Sequence, residues 1–173
     1  MDAFTEMAQA SAAFFSALAQ VSGGLVGLVF VALTFNPRTL GANGDPVLGA
    51  LARQTFGDFV MLLVVSMVIL IPHISMSSVG VSFLVLCVID TLRIARNLVR
   101  LRRSLRGPAG GWNITQRFML SALAHVMIGW MAVELLRGNP HPEITFSLLF
   151  SGMVTLLLSG CRSAWPLVVQ EAK

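Results

Sequence analysis

Two ionisable residues interrupt the apolar stretch that begins at Val81, and their spacing suits chemistry in apolar surroundings. Asp90 lies about halfway along the apolar part of a predicted helix, and Arg93 follows three residues later. Residues at this spacing share one helix face, so the carboxylate and the guanidinium can neutralise each other. Ionisable groups inside a bilayer are costly and are therefore candidates for function. The pair predicts either a proton or ion site or a structural ion pair that fixes helix packing.

Other ionisable residues lie within or at the ends of apolar stretches. His125 falls near the middle of the next predicted helix, where a neutral imidazole either relays protons or hydrogen-bonds a neighbouring helix. Asp58 stands at the predicted start of an earlier helix, where a helix N-terminus favours negative charge. Glu134 and Arg137 are predicted to pair at the outer rim. Since Asp58 and Asp90 are expected at different depths, the sequence does not predict a paired-carboxylate site.

Small and polar residues run down one side of the first predicted span, namely Ser16, Gln20, Gly23 and Gly27. Such a stripe predicts either the lining of an aqueous path or a close-packing face, because membrane helices build their contacts from small residues. Gln20 favours the aqueous path, since its amide needs a partner or water.

A second polar stripe follows strict steps of four residues in the last span, at Ser147, Ser151, Thr155 and Ser159. These four hydroxyls predict the same two alternatives, an aqueous path or a face that packs against another helix. The spacing alone does not choose between them.

Sequence motifs of enzymes are missing from the chain. It contains no HExxH, no GxSxG, no Walker loop and no dinucleotide-binding fingerprint. Cys87 and Cys161 both sit in apolar segments, where each is expected to behave as a small buried apolar residue, and their spacing suits no metal site. The sequence therefore predicts a protein that is not an enzyme and holds no cofactor and no metal.

The elements that position these residues are predicted to be membrane-spanning helices. The chain has 173 residues, of which 55% are hydrophobic and 12% charged, against about 25% charged in an ordinary soluble domain. A bilayer core needs about 20 apolar residues per helix. We therefore expect one all-α domain, residues 1–173, with five transmembrane helices at about 14–35, 55–72, 81–100, 117–136 and 144–163.

The basic residues predict how this bundle is oriented. Six of the twelve fall between Arg93 and Arg106, and nearly all the others lie on the same side of the alternating spans. Basic residues mark the cytoplasmic side, so we expect the N-terminus outside and the C-terminus in the cytoplasm. The first residues contain Asp2 and Glu6 but no basic residue, so no cleavable signal peptide is expected.

The same charges predict the partners and the location. Basic residues at the cytoplasmic border attract anionic lipid headgroups. Nucleic acid is not expected as a partner, because no aromatic-basic motif accompanies the charge. Arginine outnumbers lysine eleven to one, a codon bias that indicates a bacterial genome, and hence a multi-pass protein of the bacterial inner (plasma) membrane.

Two classes of function fit these expectations. Five short helices bury few side chains within one subunit, so we expect a homo-oligomer or a partner. The leading interpretation is a subunit of a homo-oligomeric channel or small permeation pathway, lined by the first span, with apolar constrictions that gate by dewetting. The alternative is a membrane scaffold or regulator that binds a partner or anionic lipid through the basic segment from Arg96 to Arg106.

Overall fold

The computed structural model describes residues 3–35, 46–72, 74–104, 108–138 and 141–169. Within these ranges the chain forms helices and no strand. The helices are α1 (Ala3–Ala10), α2 (Ala12–Phe35), α3 (Pro46–Ile69), α4 (Met76–Ser104), α5 (Pro108–Leu136) and α6 (Pro142–Val169). The predicted all-α class is therefore confirmed.

Five helices, α2 to α6, are long and apolar enough to span a membrane. Their candidate spans run from 19 to 24 residues. Since an α-helix rises about 1.5 Å per residue, such lengths match a hydrocarbon core of about 30 Å. The five helices fit a multi-pass membrane protein, as the length and hydrophobicity of the sequence segments predict.

Three of the helices begin at a proline, and each begins earlier in the chain than the predicted span. Pro46, Pro108 and Pro142 are the first residues of α3, α5 and α6. Proline suits this position because its missing N–H would have no partner in the first turn anyway. Residues 46–54 precede the predicted second span, which starts at about residue 55, and they form the start of α3, whereas residues 36–45 lie outside the described residues. Asp58 is consequently about three turns inside α3, not at its N-terminus.

The start of α4 also differs from the prediction, because the helix begins at Met76 and the predicted third span begins at about residue 81. The side chain of Ser75 accepts a hydrogen bond from the backbone N–H of Ser78 at 3.2 Å. This is the geometry of a helix N-cap, which satisfies one of the unpaired donors of the first turn. The helix therefore begins at Met76, directly after the cap.

Helices α3 to α6 pack as a four-helix bundle. Helix α3 contacts α4 and α6, and α5 contacts the same two helices from the opposite side. The core between them is filled by large apolar side chains that are almost completely buried, including Phe59, Leu62, Phe83, Ile128, Met131, Leu149 and Met153. Glycine allows close approach between α3 and α6, because a Cβ at Gly160 would lie 2.5 Å from the ring of Phe59.

Helix α2 lies outside this bundle. It packs mainly on α3, and Phe15 also stacks on Phe150 of α6 with ring centroids 5.8 Å apart. Its buried residues are Phe15, Leu18, Ser22 and Val29. Only 11% of the residues in its most apolar stretch are buried, against 61% for α3. The remaining sides of α2 are therefore free for lipid or for another chain.

Candidate functional site: a polar network inside the helix bundle

Asp58 is completely buried, and three neutral side chains from three helices bind its carboxylate. Its Oδ1 accepts hydrogen bonds from Gln54 Nε2 and from Ser121 Oγ, each at 2.7 Å. Its Oδ2 accepts one from Ser159 Oγ at 2.9 Å. Gln54 belongs to α3, Ser121 to α5 and Ser159 to α6. One carboxylate thus joins α3, α5 and α6 in the middle of the bundle.

Asp90 on α4 forms a second centre with two basic groups. Its Oδ1 lies 2.6 Å from Arg93 Nη2, so the predicted pair within α4 is present. Its Oδ2 lies 2.6 Å from Nε2 of His125 on α5. The Asp90 side chain is 10% exposed and that of Arg93 35%. The sequence singled out His125 but did not identify Asp90 as its partner.

Ser121 connects the two carboxylate centres. Its hydroxyl binds Asp58, and its backbone carbonyl oxygen lies 2.7 Å from His125 Nδ1. We call the seven connected residues the polar network: Gln54, Asp58, Asp90, Arg93, Ser121, His125 and Ser159.

The expectation that Asp58 and Asp90 lie at different depths was wrong. Asp58 precedes the end of α3 at Ile69 by 11 residues, and Asp90 follows the start of α4 at Met76 by 14. Because α3 and α4 run in opposite directions from the same short connection, these similar separations bring the two carboxylates to comparable depths. The prediction started the second span at Thr55, so Asp58 was expected near the end of a helix and Asp90 near the middle of one.

A glycine makes room for the Arg93 guanidinium. A Cβ built at Gly57 would overlap this guanidinium, which therefore rests directly on the backbone of α3. Gly57 precedes Asp58, so the one cation of the network that is always charged is held between α3 and α4. Any larger residue at position 57 would have to displace Arg93 from Asp90.

The chemistry open to the polar network is proton binding and the hydrogen bonding of polar groups. Carboxylates, an imidazole and hydroxyls exchange protons readily. Among the described residues no cluster of three or more His, Cys, Asp or Glu side chains could hold a metal ion. No protein-family model, curated protein or solved structure matches this chain. Function is therefore inferred from this network and from the free surface of α2.

The first polar stripe lies on the side of α2 that faces away from α3. At about 100° per residue, Gln20 and Gly27 lie opposite the buried side of the helix, and Gly23 lies on its flank. Gln20 is exposed, and its Nε2 has Ser16 Oγ as a partner at 3.4 Å, four residues back on the same helix. A Cβ at Gly23 or Gly27 would meet no atom within 4 Å. The stripe is thus an open face of the single chain.

The second polar stripe does not act as one surface. Ser147 and Ser151 are exposed, Thr155 donates to the carbonyl of Ser151 at 2.7 Å, and Ser159 is buried against Asp58. Each step of four residues rotates about 40° around a helix, so Ser159 lies about 120° from Ser147. Only Ser159 belongs to the polar network.

Sequence reasoning did not select Gln54 or Ser121. The signal was available, because Gln54 precedes Asp58 by four residues and Ser121 precedes His125 by four, the spacing of neighbours on one helix face. Gln54 lies just before the predicted second span, which starts at about residue 55, so the prediction left it outside the helix.

Ser22 on α2 is also buried, at the contact with the rest of the molecule, and its hydroxyl has no side-chain or backbone partner among the described residues.

The other charged side chains that the structure describes are exposed or partly buried. Arg137 Nη1 donates to Glu134 Oε1 at 2.9 Å, which confirms the pair predicted at that end of the helix. In the basic segment, Arg96 is exposed and its Nε donates to the Leu92 carbonyl at 3.3 Å. The side chains of the arginines from position 100 onward in this segment lie outside the described residues.

Proposed function

We propose that the protein is a subunit of a homo-oligomeric channel or small permeation pathway in which α2 lines the pore. The observation that carries this proposal is the exposed position of Gln20. Its amide lies eight residues into α2, about 12 Å along a helix of about 36 Å, and therefore at the depth of the hydrocarbon core. Transfer of an unpaired amide from water to an alkane costs about 4–8 kcal/mol, so lipid is a poor environment for it.

An aqueous lumen supplies what the lipid lacks. In a ring of subunits the open face of α2 would point toward the pore axis. Ser16 and Gln20 would then contact water, and Gly23 and Gly27 would lie where the α2 helices of the ring come closest to one another. The four-helix bundle of α3 to α6 would then form the outer wall. The large exposed part of α2 is consistent with a helix that completes its contacts in an oligomer.

The orientation belongs to the same proposal. With the N-terminus outside, the basic end of α4, where Arg96 is exposed, lies at the cytoplasmic leaflet and contacts anionic headgroups. The arginine-rich composition supports a bacterial inner membrane.

This topology predicts which positions an impermeant thiol reagent can reach in intact cells. In a background without Cys87 and Cys161, a cysteine introduced by His141→Cys should be labelled, whereas Gly110→Cys should be labelled only after the cells are opened. The reason is that positive charge is retained on the cytoplasmic side during insertion. Labelling of position 110 in intact cells would contradict the proposed orientation.

Ion flux into proteoliposomes tests the pore itself. Gln20→Leu should remove water from the pore at this position and lower ion flux about tenfold. This corresponds to an increase of about 1.4 kcal/mol in the free-energy barrier to permeation. Gly27→Leu should narrow the same path and block it. Neither change should destabilise the isolated subunit, because Gln20 loses only one long hydrogen bond and the space around Gly27 is empty.

Gly129→Leu on α5 is the matched control. A Cβ at Gly129 also meets nothing within 4 Å, but this residue lies away from α2, so flux should be unchanged. Wild-type protein that is monomeric in mild detergent and passes no ion at any voltage or pH would contradict the channel. Loss of lipid or partner binding after neutralising Arg96, Arg100 and Arg103, with flux absent throughout, would instead support the scaffold.

A further inference from the structure

The tautomer of His125 is determined by its backbone partner. Nδ1 lies 2.7 Å from the carbonyl oxygen of Ser121. A carbonyl oxygen only accepts hydrogen bonds, so Nδ1 must carry a hydrogen and donate it. A neutral imidazole has one N–H, and its other nitrogen then presents a bare lone pair. In neutral His125 that lone pair would belong to Nε2, the atom that faces Asp90.

The distance from Nε2 to Asp90 requires a proton at that contact. Nε2 and Asp90 Oδ2 are 2.6 Å apart, and in the described part of the chain neither atom has an aligned hydrogen bond, this contact included, so their proximity is an ion-pair contact. A bare nitrogen lone pair and a carboxylate oxygen repel each other at this distance. The contact is attractive either as imidazolium with carboxylate or as imidazole with carboxylic acid, and both forms contain one proton.

We propose that His125 and Asp90 form a proton-binding site inside the membrane, whose single proton holds α4 against α5. The site is separate from the α2 face and does not depend on the pore proposal. Release of the proton would leave two electron pairs facing each other and would loosen the contact between the two helices. A groove of about 310 Å³ between α4 and α5 borders His125.

The charges around the pair favour retention of this proton. Arg93 and Cys87 face it from α4, Asp58 lies next to it on α3 through Ser121, and α6 contributes the hydroxyl of Ser159. With the proton present, Arg93 and the His125–Asp90 pair together carry one positive charge, which the Asp58 carboxylate balances. Without it the network carries one net negative charge, which is costly at this depth because no further cation compensates it among the described side chains.

Spectroscopy detects the proton directly. In a variant with His73→Gln and His141→Gln, His125 is the only histidine, and nitrogen-15 NMR reports its two ring nitrogens. Near neutral pH we expect either two protonated nitrogens or a carboxylic-acid infrared band that disappears in Asp90→Asn. A bare Nε2 without such a band would overturn the proposal.

The pH dependence of unfolding measures the same proton in the whole chain. Because the folded pair retains a proton that unfolded histidine releases above about pH 6.5, stability should fall as the pH rises beyond that value. One linked proton raises the unfolding equilibrium constant about tenfold per pH unit. His125→Gln should lack the part of the pH dependence that comes from the His125–Asp90 proton. The contribution of Cys87 is the same in both proteins, so it cancels when the two are compared.

Glu134→Gln is the matched control, because Glu134 also pairs with an arginine three residues later but lies at the surface. In Glu134→Gln the free energy of unfolding should change with pH above neutrality as steeply as it does in the wild type. Equal slopes above neutral pH in wild type and His125→Gln would show that the pair binds no proton and would overturn the proposal. These measurements involve no ion flux, so their failure and that of the channel are distinguishable.

Discussion

Replacing Asp90 with alanine should destabilise the bundle by about 3–5 kcal/mol, the cost of leaving a buried ion without its partner. The change removes the carboxylate that contacts both Arg93 and His125, each at 2.6 Å. The guanidinium cannot lose its charge, so it must either remain uncompensated or leave its place on Gly57. Denaturant titration of the purified protein in micelles, followed by circular dichroism, measures the loss.

A double change separates the ion pair from simple loss of packing. Asp90→Ala combined with Arg93→Ala removes both charges and should be less destabilised than Asp90→Ala alone. Glu134→Ala breaks a pair with the same spacing at the surface and should cost about 1 kcal/mol or less. Equal stability of the single and double Asp90 variants would mean that Asp90 and Arg93 do not stabilise each other.

Asp58→Ala should have a comparable effect for a different reason. It leaves the buried hydroxyls of Ser121 and Ser159 without their acceptor, whereas Gln54 Nε2 keeps Ser121 Oγ as a partner at 2.7 Å. An unsatisfied buried polar group costs about 1–3 kcal/mol, so the loss should total about 2 kcal/mol or more. Since these hydroxyls belong to α5 and α6, the contact between α3 and those two helices should weaken most.

Asp58→Asn is the isosteric comparison for that experiment. The amide oxygen can still accept from Gln54 and Ser121, and the amide nitrogen can donate to the hydroxyl of Ser159, so less than half of the alanine effect is expected. Both variants are compared with wild type by the same denaturant titration. Identical losses for alanine and asparagine would indicate that cavity formation, not hydrogen bonding, dominates at this position.

The class of fold, the number of helices able to span a membrane and the pair within α4 could all be predicted from the amino-acid sequence. Hydrophobic length is a one-dimensional property, so a run of about 20 apolar residues identifies a span without knowledge of its neighbours. The contact of Asp90 with Arg93 is likewise local, because helix geometry alone brings residues three apart together. The start of α3 was not predicted, since glycine and proline near a helix end resemble a loop.

The polar network as a whole was decided only by the tertiary structure. Asp58 meets Ser121 across 63 residues and Ser159 across 101, and such contacts depend on which helices are neighbours and how each is rotated. A strict spacing of four did not reveal that Ser159 points inward while Ser147 points outward, because rotation about the helix axis is set by packing. The partnership of His125 with Asp90 required the antiparallel placement of α4 and α5 at matched depth, which no single-helix pattern contains.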